Sequence, residues 1–247
     1  MSEGFKPIAV RSQAENPSLF AIRCLLDLQL LTIYRFLRGN VNSWQGRVLD
    51  VGAGESPWRD LMQGVEYVGA DVDSADEFGM LRNPDIHYYD GIRLPFSDAS
   101  FDHVLCVEVL EHVPEPAIFL IDLLRVLRPG GSLLMTVPWS ARLHHLPHDY
   151  SRFTPYRLTA LLNAAGFSSV RITERGNDIA VIANKLLVLT IRLIRPRKWY
   201  QALWTWPLAV VTLPGALGFL IAAHAAIVLR LGSKEDPLGY GLTAAKF

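Results

Sequence analysis

Cysteine is scarce in this chain of 247 residues: Cys24 and Cys106 lie far apart and fit neither a zinc-ligand spacing nor a disulfide framework. A reducing compartment is the expectation. Net charge is absent too, with 24 Lys and Arg against 24 Asp and Glu. No global basic field exists to hold a phosphate backbone, so no nucleic acid is expected as a partner. The segment Met1-Ser-Glu-Gly-Phe-Lys-Pro7 lacks the basic start and apolar core of a secretory signal, which points to a cytoplasmic protein. Asp, Glu, Lys and Arg are all missing from residues 203–229.

Half of the residues are hydrophobic, enough for one large domain or one domain with an appendage. From residue 47 onward, short β-rich runs alternate with helical patterns, the signature of an α/β protein with a parallel sheet covered on both faces. Strands are expected near 47–51, 67–70, 86–89, 102–107, 132–137 and 169–173. A helix over 117–127 places Ile118, Ile121, Leu124 and Leu127 on one face and stops at Arg128-Pro-Gly-Gly131. Thr154-Pro155 opens another, which Gly166 closes. Upstream, 19–37 reads as one amphipathic helix capped by Asn16 and Pro17, lying over a sheet edge or a substrate pocket.

Arg47-Val-Leu-Asp-Val-Gly-Ala-Gly-Glu-Ser-Pro57 is a buried strand running into a Gly-x-Gly turn. Gly52 and Gly54 allow the backbone to turn sharply and approach a ligand, and Ser56 and Pro57 read as the cap and first residue of the next helix. Ligands of open parallel sheets bind at the C-terminal strand ends. Acidic residues recur there: Asp50, Asp71, Asp90, then Glu108 and Glu111 with His112. Asp71 lies 17 residues beyond Gly54, where a carboxylate could accept both ribose hydroxyls. A dinucleotide site expects a third glycine, and Pro57 stands in its place. A nicotinamide-dependent oxidoreductase is therefore disfavoured. Carboxylates at successive strand ends favour a ligand with an adenosine half and a positive charge, such as S-adenosylmethionine.

The chain resembles the class I S-adenosylmethionine-dependent methyltransferases, in particular their type 11 group, over roughly residues 45–175. The resemblance rests on an ordered set of motifs: Val48-Leu-Asp-Val-Gly-Ala-Gly54, Val68-Gly-Ala-Asp-Val72, Asp90-Gly-Ile-Arg-Leu-Pro-Phe96, Ser100-Phe-Asp102, Val109-Leu-Glu-His112 and Arg125-Val-Leu-Arg-Pro-Gly-Gly131. It implies a Rossmann-like, doubly wound, seven-stranded, mostly parallel sheet. It also implies that S-adenosylmethionine is held by Asp50, Gly52, Ala53, Gly54, Asp71, Val72, Asp90, Gly91, Val107 and Glu108. Gly52 and Gly54 would approach the methionine part, Asp71 the ribose, Asp90 the adenine amino group, and Val107 and Glu108 the methyl-donor side.

Methyl transfer is an in-line displacement, so the protein must align a nucleophile and exclude water, and a base is needed only where that nucleophile starts protonated. His112, His144 and His148 are the candidates, with Asp149, Tyr150 and Arg152 on the substrate side. A His-x-x-Pro-x-Asp-Tyr-x-Arg-Phe-Thr segment like that from His144 to Thr154 occurs in type 11 members of glycan or lipid-linked pathways. Within that segment Arg152 reads as a structural partner for Asp149, and Thr154 as a helix cap. Metal binding by His144, His145, His148 and Asp149 competes with these roles, but Pro147 argues against a helical face presenting them, and no metal is expected.

A class I sheet ends in an antiparallel seventh strand, which only 238–246 can supply. The apolar residues 179–232 then form a helical insertion inside the final β-hairpin, which can cross a bilayer twice or not at all. Lys185 and Arg192 make its first run a poor span, while Pro207, Pro214, Gly215 and Gly218 are expected to break the second. Helices lying in one leaflet or a re-entrant hairpin are expected, with Arg195, Arg197, Lys198, Trp199 and Tyr200 at the headgroups. Three parts follow: an N-terminal helical segment (1–45), a methyltransferase domain (46–178 with 233–247) and the insertion. The expected protein is a membrane-associated methyltransferase, peripheral or monotopic, acting on a small-molecule or lipid-linked acceptor of glycan or quinone type. A homodimer formed through the insertion and a non-catalytic scaffold are the alternatives.

Overall fold

The structure is a computed structural model, and it describes residues 10–74 and 82–247. The segment Met1–Pro7 lies outside the described residues. Seven strands, β1 (Arg47–Val51), β2 (Glu66–Val72), β3 (Ile86–Tyr89), β4 (Phe101–Val107), β5 (Leu127–Pro138), β6 (Ser168–Arg175) and β7 (Gly239–Ala245), form one sheet in the order β3-β2-β1-β4-β5-β7-β6. All but β7 run parallel; β7 is antiparallel to both β5 and β6. Each of the six strands anticipated in the first part of the chain is present, as is the returning seventh. β5 starts earlier than expected, at Leu127, which pairs with Phe101 of β4; a register shift then skips Arg128–Gly131, and the ladder resumes where His103 pairs with Ser132.

Alternation along the central strands divides the core in two. Leu49, Val104, Cys106, Leu133 and Met135 point to one side, against α3 (Pro116–Val126) and α4 (Pro155–Ala165). Val48, Leu105 and Leu134 point to the other, against α2 (Leu28–Val41) and the base of a helical hairpin, α5 (Asp178–Ile194) and α6 (Ala202–Leu229). Each fully buried Leu contributes about 1.5–3 kcal/mol relative to an exposed one, so both faces are needed. Thr154 caps α4 by accepting from the Arg157 N–H, and Gly166 ends it at φ 99°.

Three local expectations are corrected. The N-terminal helix is two helices, α1 (Pro17–Leu26) and α2, because Asp27 leaves the helical region and its side chain accepts the Leu30 N–H, capping a new start. Ser56 caps no helix: it sits at φ 57°, and only the 3-10 turn Arg59–Leu61 follows. Pro207 and Pro214 do not break α6, which runs 28 residues through both.

The hairpin stands between β6 and β7, and its two ends are fastened together. Asn177 accepts the Ala180 N–H at the start of α5 while its amide donates to the Leu231 carbonyl at 2.8 Å; Asp178 Oδ1 accepts the Ser233 N–H at 2.9 Å. The chain therefore leaves the sheet and rejoins it at one place. At the rejoining point Gly239 has no room for a side chain: a Cβ there would meet the Arg175 guanidinium, and the Val137 carbonyl at 2.5 Å. Gly239→Ala is expected to destabilise the protein by about 1–3 kcal/mol, the usual cost of overpacking, read as a lower urea midpoint. An unchanged midpoint would show that the strand gives way.

Candidate functional site

The C-terminal edge of the parallel strands gathers the polar residues. After β1, Gly52 and Gly54 take φ of 74° and 52°, and the N–H groups of Gly52 and Ala53 both donate to the Ala70 carbonyl, folding the turn over β2. A Cβ on Gly52 would strike the Val109 side chain, so the position is closed to other residues on two counts. Asp71 ends its strand beside this turn: Oδ2 accepts the Gly54 N–H and Oδ1 the Val72 N–H, both at 2.8 Å. Burial pushes its carboxyl up despite those bonds. Asp50 is interior, with its Oδ2 accepting from the Tyr67 hydroxyl at 2.7 Å; burial raises its pKa to about 7, against the hydroxyl's pull downward. Asp90 is exposed and accepts the N–H groups of Ile92 and Arg93, which hold it below the usual carboxylate range; Gly91 follows at φ 79°.

β4 leads from Val107 into Glu108, whose φ of 54° turns the chain sharply, and Glu108 accepts from Arg175 at 2.7 Å. The 3-10 turn Leu110–His112 comes next. The Glu111 carbonyl accepts the N–H groups of Tyr150 and Ser151, fastening the loop after β5 across this turn. That loop brings His144 to His112, with Nε2 to Nε2 at 3.2 Å. His112 Nδ1 meets the His148 carbonyl at 2.6 Å and His144 Nδ1 the Arg142 carbonyl at 3.1 Å. The Glu111 Oε1 atom lies 3.6 Å from His112 Nε2 and 3.8 Å from His144 Nε2. Burial pushes His112 down to about 4, lowers His144, and drives Glu111 well above its ordinary value, Glu108 adding to the last.

The structure thus unites two of the three candidate histidines. His148 is directed elsewhere, its Nδ1 3.1 Å from the hydroxyl of half-exposed Tyr150. Arg152 grips Asp149 with both terminal nitrogens, and Asp149 also accepts the His144 N–H, so this pair shapes the loop. Burial opposes the charge on Asp149, but these donors hold its carboxyl low. Glu111, which the sequence placed only among the strand-end carboxylates, and Arg175, which it gave no role, both carry parts of their own. The adjacency of Glu111 to His112 was the available signal for the first; Arg175 sits in an ordinary alternating strand and carried none.

A family model described as a methyltransferase domain matches residues 49–135. A probable S-adenosylmethionine-dependent methyltransferase of Mycolicibacterium smegmatis is 35% identical over 133 residues, covering 49% of this chain and 51% of that protein. The demethylmenaquinone methyltransferase of Renibacterium salmoninarum is 40% identical over 132 residues, covering 50% and 53%. The chain spans about half the length of these relatives. Among solved structures, a SAM-dependent methyltransferase from Archaeoglobus fulgidus superposes with a TM-score of 0.53 at 17% identity, covering 92% of this chain and 99% of that one, a likeness of fold.

The raised pKa of Asp50 sets a pH dependence. Unfolded, the carboxyl loses its proton near pH 4; folded, it keeps it to about 7. The folded state binds the extra proton between these values, so this group makes stability fall as pH rises from about 4 to 7, by up to roughly 4 kcal/mol. Asp50→Asn is expected to remove that slope. Urea unfolding of both proteins at pH 4.5 and 8 checks it: a difference between them that does not change with pH would show that Asp50 does not titrate in this window.

Proposed function

We propose, because the chain belongs to the type 11 group of class I S-adenosylmethionine-dependent methyltransferases, that it transfers a methyl group to a small-molecule or lipid-linked acceptor, of quinone or glycan type, near a membrane surface. The supporting observation is the placing of Asp71 against the Gly54 turn, across the sheet edge from the turn bearing His112. Each Asp71 oxygen accepts one backbone N–H and keeps a second lone pair, enough for a pair of ribose hydroxyls. Asp50, Gly52, Ala53, Val72, Asp90, Gly91, Val107 and Glu108 complete the proposed donor side. The acceptor's reacting atom is placed against the His112–His144 cluster, with Tyr150 at its mouth and Asp149 and Arg152 holding the loop.

The proposed membrane contact rests on how the hairpin packs. Ala209, Ala216 and Ala223 of α6 are buried against α5, and Thr190 and Thr212 share a hydrogen bond at 3.1 Å between the helices. Leu203, Val210, Val211 and Ile221 are each more than 70% exposed. Small and hydroxyl residues inside with large apolar ones outside is the packing of helices in lipid. Residues Trp199–Leu229 are long and apolar enough to cross a membrane. α5 has 17 residues, about 26 Å, short of a core of roughly 30 Å, and Lys185 and Arg192 are exposed on it. In this reading the outer part of the hairpin, beyond the base that packs in the core, lies within one leaflet of the cytoplasmic face with Arg195, Arg197 and Lys198 at the headgroups.

Three measurements test this. Calorimetry with S-adenosylmethionine should show binding by the wild type and at least about tenfold weaker binding by Asp71→Ala, which loses a charge-assisted acceptor. No heat from folded wild-type protein would overturn the methyl-donor reading. Flotation with vesicles containing anionic lipid should carry the wild type up and lose a variant with Arg195, Arg197 and Lys198 changed to Glu. Equal flotation of the two would refute the headgroup assignment. Labelled-methyl transfer into a membrane-lipid extract identifies the acceptor, and binding without any transfer would favour the scaffold alternative.

A further inference from the structure

Glu111 is the most anomalous side chain of the described residues. It is wholly buried, and neither carboxylate oxygen has a hydrogen-bond partner. The two arginines nearest to it are engaged elsewhere, Arg175 with Glu108 and Arg152 with Asp149. A buried carboxylate in that position requires either a proton or a cation.

The two histidines are arranged to receive a cation. Each has its Nδ1 against a backbone carbonyl, His148 for His112 and Arg142 for His144, and a nitrogen at that distance from a carbonyl must carry the hydrogen. Neutral rings so fixed turn their Nε2 lone pairs toward each other, 3.2 Å apart. Carbonyl-anchored Nδ1–H groups with converging Nε2 atoms are the outer arrangement found around metal-bound histidines. The triangle formed with Glu111 Oε1 has sides of 3.2, 3.6 and 3.8 Å, so a point about 2.1 Å from all three atoms exists, matching zinc–nitrogen and zinc–oxygen bond lengths.

We infer that Glu111, His112 and His144 hold one divalent cation of the zinc class on the acceptor side of the domain. Two imidazoles and one carboxylate suit such an ion, and three protein ligands leave a coordination position open. The set differs from the one the sequence suggests: His145, His148 and Asp149 are not needed, and Glu111 is. In the loaded protein, His112 and His144 act as ligands and not as proton acceptors. The assignment goes beyond methyl transfer and does not depend on it.

Cobalt(II), a visible-absorbing stand-in for zinc, tests the site in the tag-free full chain without S-adenosylmethionine. Wild-type protein should bind one equivalent with the d–d bands of four- or five-coordinate cobalt, and zinc should displace it. Glu111→Gln, which keeps the shape of the side chain, and His144→Ala should each weaken uptake at least tenfold, with folding checked by circular dichroism. His148→Ala, which leaves the His148 carbonyl in place, should bind as the wild type does. Uptake that is equal in wild type and a folded Glu111→Gln/His144→Ala double variant, or that is abolished by His148→Ala, overturns the assignment. Because the methyl donor is omitted, failure here and failure of donor binding are seen in separate experiments.

Discussion

The ion pair between Glu108 and Arg175 holds the working edge of this molecule together. Arg175 is buried at the end of β6, and its guanidinium reaches the Glu108 carboxylate, the carbonyls of Val137 and Tyr240, and the Thr32 hydroxyl. One side chain thereby ties the ends of β4, β5 and β7 to α2. Arginine stays charged inside a protein, so a missing partner would leave a buried charge at a cost of about 3–5 kcal/mol. The left-handed turn at Glu108 follows from this, since it aims the carboxylate back across the sheet. It also sets the direction of the next residues, and Glu111 and His112 face the loop after β5 because Glu108 is held.

Much of the framework was legible because it is local or periodic. Alternation in β1, β4 and β5, the Thr154 and Gly166 caps, and the Gly52-x-Gly54 turn each depend on a few neighbouring residues. The errors arose where two local rules competed. At Asp27 an unbroken apolar period suggested one helix, but the carboxylate's ability to cap a new one won. In α6 the prolines suggested breaks, yet a helix packed against α5 through small residues tolerates the lost N–H donors. Position along the chain did place the carboxylates at strand ends. It could not show which partners each would find: Tyr67 for Asp50, the Gly54 N–H for Asp71, and Arg175 for Glu108 come from elsewhere in the fold.

The helical hairpin illustrates a constraint of topology more than of composition. Its two ends join adjacent antiparallel strands, and the bonds from Asn177 to Leu231 and from Asp178 to Ser233 close it like a clasp. Near this clasp the helices serve the core, where Leu220, Ala223, Ala180 and Val181 pack with Leu28 and Leu105. Farther out they have no sheet beneath them, and their large apolar side chains face outward. The same two helices are thus a core layer at one end and an apolar projection at the other, which is why deleting them whole would confound folding with surface attachment and why charge reversal at the tip separates the two.

Electrostatics unify the two proposed sites. Burial drives the carboxyls of Asp50, Asp71 and Glu111 upward, against the usual direction for carboxylates in folded proteins, where partners lower them. Holding several such groups at one sheet edge disfavours their charged forms. A cationic ligand reverses that penalty, because it stabilises the ionised carboxylate in a medium where the interaction is strong. An edge of this kind discriminates by charge before shape: it offers a diphosphate no compensating charge, and it attracts a sulfonium or a metal ion. Binding of the sulfonium near Asp50, whose carboxyl is pushed up to about 7, should then release protons at pH 6, and proton uptake instead would show that this carboxyl is not the group that responds.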